Sequence, residues 1–323
     1  MPQRNNSRTI KQNHYDYIIS GGGCAGLSLA YHLNQTELCN KSILILDRSS
    51  KRENDRTWCF WTKNGTIYDS IVHRRFKALE FIGTGFSNVF DMGDWEYHWI
   101  QGIDFYRFVQ KDLQKNPNIV WKYGEINRIE DTQRGATVVL DGQVYTADYV
   151  FNSCFNEGKI KINPKKQHFI QQHFKGWVIE TPKAVFNPAQ FTMFDFRTPQ
   201  PPDDMRFFYI LPESPHKAMV EYTIFGEELM ERSAYDPELK RYIKEVLGIE
   251  EYTIEEEEFG RIPMTDFPLP RKTGKHIRNL GINGGRARPS TGYAFLSIQN
   301  DVAGITQQLL QGKAPFQPEN VPK

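Results

Sequence analysis

The sequence predicts a mixed α/β protein, α+β overall, in which a nucleotide-binding βαβ unit is interrupted by a β-rich insertion. Three observations carry this. Residues 15–26 read YDYIISGGGCAG, a short apolar strand running into a glycine turn. Gly21, Gly23 and Gly26 stand at G-x-G-x-x-G spacing, and Leu27, Leu29, Ala30 and Leu33 follow with helical periodicity. After this unit the pattern turns to short strands, and a second glycine turn before a helix arrives only with NLGINGG at 279–285. The chain is therefore expected to leave the nucleotide site and return to it.

The glycines have separate reasons. The first permits the tight turn, the second lets a pyrophosphate approach the backbone, and the third lets helix pack on strand. The helix start offers unpaired N–H groups and positive dipole charge to phosphate. Ser42–Leu46, SILIL, reads as the next strand and ends in Asp47. That acid falls about twenty residues past the last glycine, where a ribose-binding carboxylate is expected. The motif by itself fits NAD and FAD equally.

Composition bounds the rest. A chain of 323 residues, 39% hydrophobic and 24% charged, describes a soluble globular protein of one large or two modest domains. Its net charge of +1 argues against nucleic acid as a main partner. No pair among Cys24, Cys39, Cys59 and Cys154 has C-x-x-C spacing, so neither a metal site nor a disulfide framework is indicated, and a reducing cytoplasm is the expected compartment. Residues 1–14 are polar and basic without a signal-type apolar core, and no window approaches the roughly 18 apolar residues of a membrane span. The 22 Phe, 15 Tyr and 6 Trp fit an aromatic core or a pocket for a large apolar ligand.

Taken in order, Asn54–Trp61, NDRTWCFW, does not alternate and reads as an anchored loop, with Arg56 toward the cofactor and the aromatics toward a ligand. Residues 78–90 read as one or two strands. Residues 104–115 form a helix with Phe105, Phe108, Val109 and Leu113 on its stripe and Asp104 as its cap. Strands follow at 119–123, 136–140, 144–146 and 147–152, with Asp141-Gly142 as a hairpin turn. The region 167–225 is mostly β, residues 227–247 are helical, and the acid run Glu255–Glu258 reads as a solvated face. A last helix spans 293–310, with Ser290 as a good cap residue before it, and residues 313–323 carry no clear element.

Several stretches together resemble the FAD-dependent lycopene cyclase family: GGGCAGLSLA, NDRTWCFW (similar to D-x-T-W-x-F), QQHFKGWVIE with MFDFR downstream, MVEYT (similar to F-L-E-E-T), and FGRIPM followed by ARPSTGYAF. Two departures stand out: the chain looks short after the S-T-G-Y helix, and Tyr222 occupies the place of the second acid of F-L-E-E-T.

The resemblance implies a Rossmann-like FAD-binding domain with an inserted β-rich substrate domain, a flavin-hydroxylase-like architecture. Its pieces would be 1–75, 103–155 and 259–323 for the cofactor, and 76–102 and 156–258 for the substrate. It implies Glu221 as the acid or cation-steadying carboxylate. Strand alternation alone leaves Glu221 facing either solvent or an interior, with Met219 and Thr223 on its side and Val220, Tyr222 and Ile224 on the other. It further implies cofactor contacts from Gly21, Gly23, Cys24, Ala25, Gly26, Asp47, Arg48, Arg56, Gly284, Gly285, Thr291 and Gly292. Trp58, Phe60, Tyr222 and Tyr293 would line the substrate. The implied reaction closes the ψ-ends of lycopene, or a related carotenoid, into β rings with reduced FAD present and NAD(P)H as candidate reductant. A lipid-dissolved substrate implies peripheral docking on a membrane surface. The rivals are a redox flavoprotein such as a monooxygenase or prenyl reductase, and a shortened chain that binds FAD without catalysis.

Overall fold

The computed structural model describes residues 13–316; the polar ends at 1–12 and 317–323 lie outside the described residues. The first strand, β1 (His14–Ser20), carries Ile18 and Ile19 fully buried, which is why its run is apolar without alternation. It ends at Gly21, whose φ of +100° only glycine holds without strain. The Gly21 N–H donates to the Leu46 carbonyl at 2.7 Å and so ties the turn to β2 (Ile43–Asp47), parallel to β1. Helix α1 (Cys24–Asn34) starts at once, and Gly26 is where it crosses the strand. A Cβ there would stand 2.0 Å from the Gly21 carbonyl oxygen.

Next come β3 (Thr57–Thr62), β4 (Arg74–Phe76), β5 (Ala78–Gly83), β6 (Phe86–Asp91) and β7 (Glu96–Gln101). Strands β3, β7 and β4 make a small antiparallel sheet in that order. The stretch expected as a loop is thus largely a strand. It lacks polar alternation because both its faces are covered: Trp58 and Phe60 pack in the cluster of Phe105 and Phe295, Cys59 and Trp61 in that of Tyr97 and Phe191. Helix α2 (Gly102–Leu113) buries Phe105, Tyr106, Val109 and Leu113. Its cap is Gln101, not Asp104. Asp104 sits in the first turn, where a carboxylate still favours the helix dipole.

Strands β8 (Ile119–Tyr123), β9 (Ile126–Thr132), β10 (Gly135–Leu140) and β11 (Gln143–Asn152) follow. Asp141 and Gly142 both take positive φ, +47° and +79°, the mirror-image turn that matches hairpin twist. The two strands expected between 144 and 152 are one, β11.

The insertion contributes β12 (Phe169–Glu180), β13 (Gln190–Asp195), β14 (Met205–Ser214), β15 (Lys217–Gly226), α3 (Tyr235–Arg241) and β16 (Thr253–Thr265). With β5 and β6 these strands form a seven-stranded sheet, β16-β12-β15-β14-β13-β5-β6. Only the β13–β5 pairing is parallel. The expected helix at 227–247 is shorter: α3 continues as a π turn at Tyr242–Val246, while 227–231 is irregular. One face of the sheet is closed by α3, against which Val220, Tyr222, Ile224, Phe208 and Ile210 pack; Phe208 stacks on Tyr242 with centroids 3.6 Å apart. The acid run is part of β16: Glu255, Glu256 and Glu257 are exposed, whereas Glu258 turns inward. β16 also continues past residue 258, where the insertion was expected to end.

Strands β17 (Lys272–Thr273) and β18 (Ile277–Asn279) return the chain to the first sheet, ordered β17-β18-β11-β1-β2-β8, with β10 and β9 branching from β11. Strand β11 pairs with β10, β1 and β18 and is the junction of this sheet. Helix α4 (Phe295–Leu310) lies on α1 and is preceded by Ala294, so Ser290 is not its cap. Asp301 of α4, 1% exposed, holds Arg278 at 2.8 Å and also pairs with Arg286. One buried carboxylate thus serves two buried guanidiniums, so neither arginine is left without an ion-pair partner.

Candidate functional site

A cavity of about 2600 Å³ is lined from both large sheets, and its residues fall into two ends. At the nucleotide end stand Gly21, Gly23, Cys24 and Ala25 of the turn, Asp47 and Arg48 after β2, Ser153 and Cys154 after β11, and Gly281, Ile282 and Asn283 of the late turn. The start of α1 has no side-chain cap, so its first N–H groups are left for another partner. A Cβ at Gly23 would meet nothing within 4 Å, in contrast to the clash at Gly26. Gly23 therefore keeps open the space in front of the helix, while Gly26 serves packing. Asp47 braces the turn: one carboxylate oxygen accepts the Gly22 N–H at 2.6 Å and the other the Ser49 N–H at 2.8 Å. The Ser153 hydroxyl lies 3.0 Å from the carbonyl oxygens of both Ser20 and Gly21 and holds the turn from the opposite side.

The late segment differs from expectation. Gly284 and Gly285 do not line this cavity; they border a smaller one of about 250 Å³ with Leu269 and Pro289. The glycine that faces α1 is Gly281, with φ +56° and a would-be Cβ 2.9 Å from that of Ala25. The turn at 281–284 curls so that its first residues, not its last, meet the nucleotide end. Thr291 and Gly292 do line the cavity, and Gly292 takes φ +70° against Gln172. Arg56 is exposed at the cavity wall, its guanidinium donating to the Asp55 carbonyl at 2.6 Å.

The other end is aromatic and acidic. Trp58 lies edge-on to Phe105 at 5.0 Å, and Phe60 stacks on Phe295 at 4.7 Å; both border the cavity. Tyr293 does so too, its hydroxyl 2.8 Å from that of Tyr97, which accepts a hydrogen bond from Tyr209 at 2.8 Å. Tyr222 does not. It is fully buried on the α3 face of the sheet, stacked on Phe208 at 4.9 Å, because it is one residue out of phase with Glu221. A row of phenylalanines crosses the cavity face: Phe225 to Phe207 at 5.4 Å, Phe207 to Phe194 at 4.8 Å, Phe194 to Phe81 at 5.8 Å and Phe81 to half-exposed Phe86 at 6.0 Å.

Glu221 sits on β15 at the inner end of this face, 7% exposed, between Gly176 of β12 and Tyr209 of β14. Its carboxyl accepts the Thr223 hydroxyl at 2.6 Å. Burial first, and the charge of Glu258 second, push its pKa up to about 8, so at neutral pH it keeps its proton. Glu258 was hidden in the acid run. It too borders the cavity, and accepts the Thr57 N–H at 3.0 Å and the Thr57 hydroxyl at 2.6 Å. Burial raises its pKa, against the pull of those two hydrogen bonds. The signal that could have exposed it is period-2 alternation into FGRIPM: Glu258 shares a face with Gly260 and Ile262, which also line the cavity.

The family model described as lycopene cyclase protein matches residues 16–317. The chain belongs to the lycopene cyclase family. Solved structures agree on the fold at low identity. A geranylgeranyl bacteriochlorophyll reductase-like protein from Thermoplasma acidophilum superposes with TM-score 0.68 and 13% identity, covering 93% of this chain and 79% of that one. PqsL, a probable FAD-dependent monooxygenase from Pseudomonas aeruginosa, gives 0.65 and 15%, with 94% and 89% covered. CtdE, solved with FAD and a substrate, gives 0.63 and 12%, with 91% and 80% covered. No curated protein sequence matches. In this lycopene cyclase family member the T-W-C-F-W stretch is β3 and the S-T-G-Y stretch is the loop before α4, so two of its recognisable segments meet at one cavity wall. Among the described residues no helix is long and apolar enough to cross a membrane.

Proposed function

We propose that this chain is an FAD-dependent lycopene cyclase that turns the ψ-ends of lycopene into β-ionone rings without net oxidation. The observation that carries the reading is Glu221: a carboxyl held in its neutral, proton-bearing form on the wall of a large apolar-aromatic cavity. The nucleotide end fits FAD. Open space at Gly23 in front of an uncapped helix start is a cradle that a side chain would fill. Gly21, Gly23, Cys24 and Ala25 would hold the pyrophosphate and Asp47 the ribose, with Gly26 keeping α1 on β1. Arg48, Arg56, Thr291 and Gly292 would border the rest, with Gly281 in the place expected for Gly284 and Gly285. Reduced FAD, with NAD(P)H as candidate reductant, supplies negative charge beside a developing cation.

The chain's own residues do the remainder. Glu221 gives its proton to the terminal double bond of the ψ-end. The resulting cation is attacked by the next double bond, which closes the ring, and loss of a proton restores neutrality. One proton enters and one leaves, so no electrons are needed. Trp58, Phe60 and Tyr293 exclude water that would quench the cation, and their π faces favour positive charge. In lycopene-producing cells, chromatography should show cyclic carotenoid, with no NADPH consumed in proportion to rings formed. A linear oxidised or reduced product with matching NADPH use would assign the chain to redox chemistry instead.

Two further outcomes follow from the same residues. Ring formation should fall as pH rises through about 8, as Glu221 loses its proton. The sign for stability is the same: the native carboxyl binds its proton more tightly than the unfolded one at 4.5, so stability is full below that value and falls as pH rises toward about 8. A rate profile and melting temperatures across this range check both. Gly23→Ala should leave the apo protein's melting temperature unchanged yet weaken FAD binding about tenfold or more, read by flavin fluorescence, because the added methyl meets no protein atom. Docking on a membrane surface is part of this reading. Exposed Phe86, Val89, Phe90 and Trp95 are its apolar contacts, and flotation with vesicles that carry lycopene should lift the protein.

A further inference from the structure

We propose that Glu258 is the second carboxylate of the reaction site, the base that takes the ring proton after Glu221 has delivered its own; this rests on the cyclase reading above. Gly176 of β12 lies directly opposite Glu221 on β15 and directly opposite Glu258 on β16. Residues facing each other across neighbouring strands project to the same side, so both carboxyls face the cavity with only a glycine between them. Two inter-strand steps put their backbones about 10 Å apart. A side chain at Gly176 would begin 3.4 Å from the Glu221 Cβ and would fill the space between the acids.

The two carboxyls have different surroundings. Glu221 accepts one hydroxyl hydrogen bond, from Thr223. Glu258 accepts two from Thr57, one of them a backbone N–H, and Arg56 adds a favourable positive charge from the loop before β3. Asp55 on the same loop opposes this. Cys59 of β3, its thiol pushed up to about 12, contributes no charge, and neither do the hydroxyls of Tyr97, Tyr209 and Tyr293. Glu256, next on the same face of β16, is turned to the Asn54 amide at 2.9 Å. Among these groups Glu258 is the carboxyl best supplied with donors for its ionised form, and Glu221 the one best suited to stay neutral. Burial raises both carboxyls. At Glu258 the two Thr57 donors and Arg56 oppose that rise, whereas at Glu221 only Thr223 opposes it and the charge of Glu258 adds to it. Such unequal surroundings assign Glu221 the acid and Glu258 the base.

The step balances. The O–H bond of Glu221 breaks and a C–H bond forms at the terminal double bond. The next double bond supplies the pair for the ring-closing C–C bond. The C–H bond beside the new cation then breaks, its pair becoming the ring double bond and its proton going to Glu258. Passing that proton back to Glu221 restores the starting state, with nothing oxidised or reduced.

Two measurements on flavin-loaded protein test this. Infrared titration of the protonated-carboxyl band needs no turnover. Glu258→Gln should move the Glu221 titration to lower pH, because a neighbouring negative charge is gone; an unmoved titration overturns the pairing. In ring-formation assays, Glu258→Gln should lose about 10²-fold or more with flavin binding intact. Thr57→Val, which removes one donor from Glu258, should shift the acid limb of the pH–rate profile upward. A Glu258→Gln protein with wild-type rate and profile overturns the assignment, as does a Thr57→Val limb that stays put. If wild-type protein forms no rings while the infrared shift is seen, the cyclase reading fails and the carboxyl pair stands.

Discussion

Glu221→Gln is expected to stop ring formation, by 10²- to 10⁴-fold, while the protein stays folded and flavin-loaded. The amide matches the neutral carboxyl in shape and can still accept the Thr223 hydroxyl, so the strand and its neighbours need not move. What it cannot do is release a proton. Because the native carboxyl is already neutral near pH 7, the exchange leaves no buried charge behind, and the fall in stability toward about pH 8 should flatten in the variant. Pigment chromatography and a pH series of melting curves read the two effects separately. Full ring formation by this variant with FAD bound would remove Glu221 from the chemistry.

Gly26→Ala should be the most damaging single methyl in the nucleotide domain. Its Cβ would lie 2.0 Å from the Gly21 carbonyl oxygen and 2.9 Å from the Ile19 side chain. Neither can yield alone, since Gly21 is tied to Leu46 and Ile19 is fully buried. Helix α1 must lift from β1, which disturbs the turn and the packing of α4 on α1. The expected cost is about 3 kcal/mol or more, a large share of a typical domain's roughly 5–15 kcal/mol. Loss of flavin-loaded protein on expression and a lowered melting temperature check it. A normal melt would show that the turn adapts. The contrast with Gly23→Ala separates a glycine kept for packing from one kept for a ligand.

Much of this was legible because local chemistry decided it. The βαβ unit needs only a buried strand, three glycines and an apolar helix face, and residues 14–47 supply all of them in order. The Asp141-Gly142 turn was legible for the same reason. What could not be read depends on which surfaces end up covered. Alternation correctly put Glu221 with Met219 and Thr223, opposite Tyr222. It could not say that neither side is solvent, one being closed by α3 and the other by the cavity. Tyr222 was therefore misplaced and Glu221 left ambiguous. The T-W-C-F-W strand failed as a strand signal because both its faces are apolar. Glu258 was lost among three exposed acids, since a run of like charges hides the one that the pleat turns inward.

The junction strand β11 has a consequence for how the molecule is made. Its partners are its hairpin neighbour β10, β1 at the beginning of the described chain, and β18 at residues 277–279, with the insertion emerging before the last of them. The first strand and β10 can find β11 once about half the polypeptide has left the ribosome, but the far edge at residues 150–152 stays bare until β18 arrives, when nearly all of it has. Such distant pairings are slow to form, and an unfinished edge invites aggregation. Translation speed and chaperone supply should therefore bear on the yield of this protein alongside the strength of its finished core.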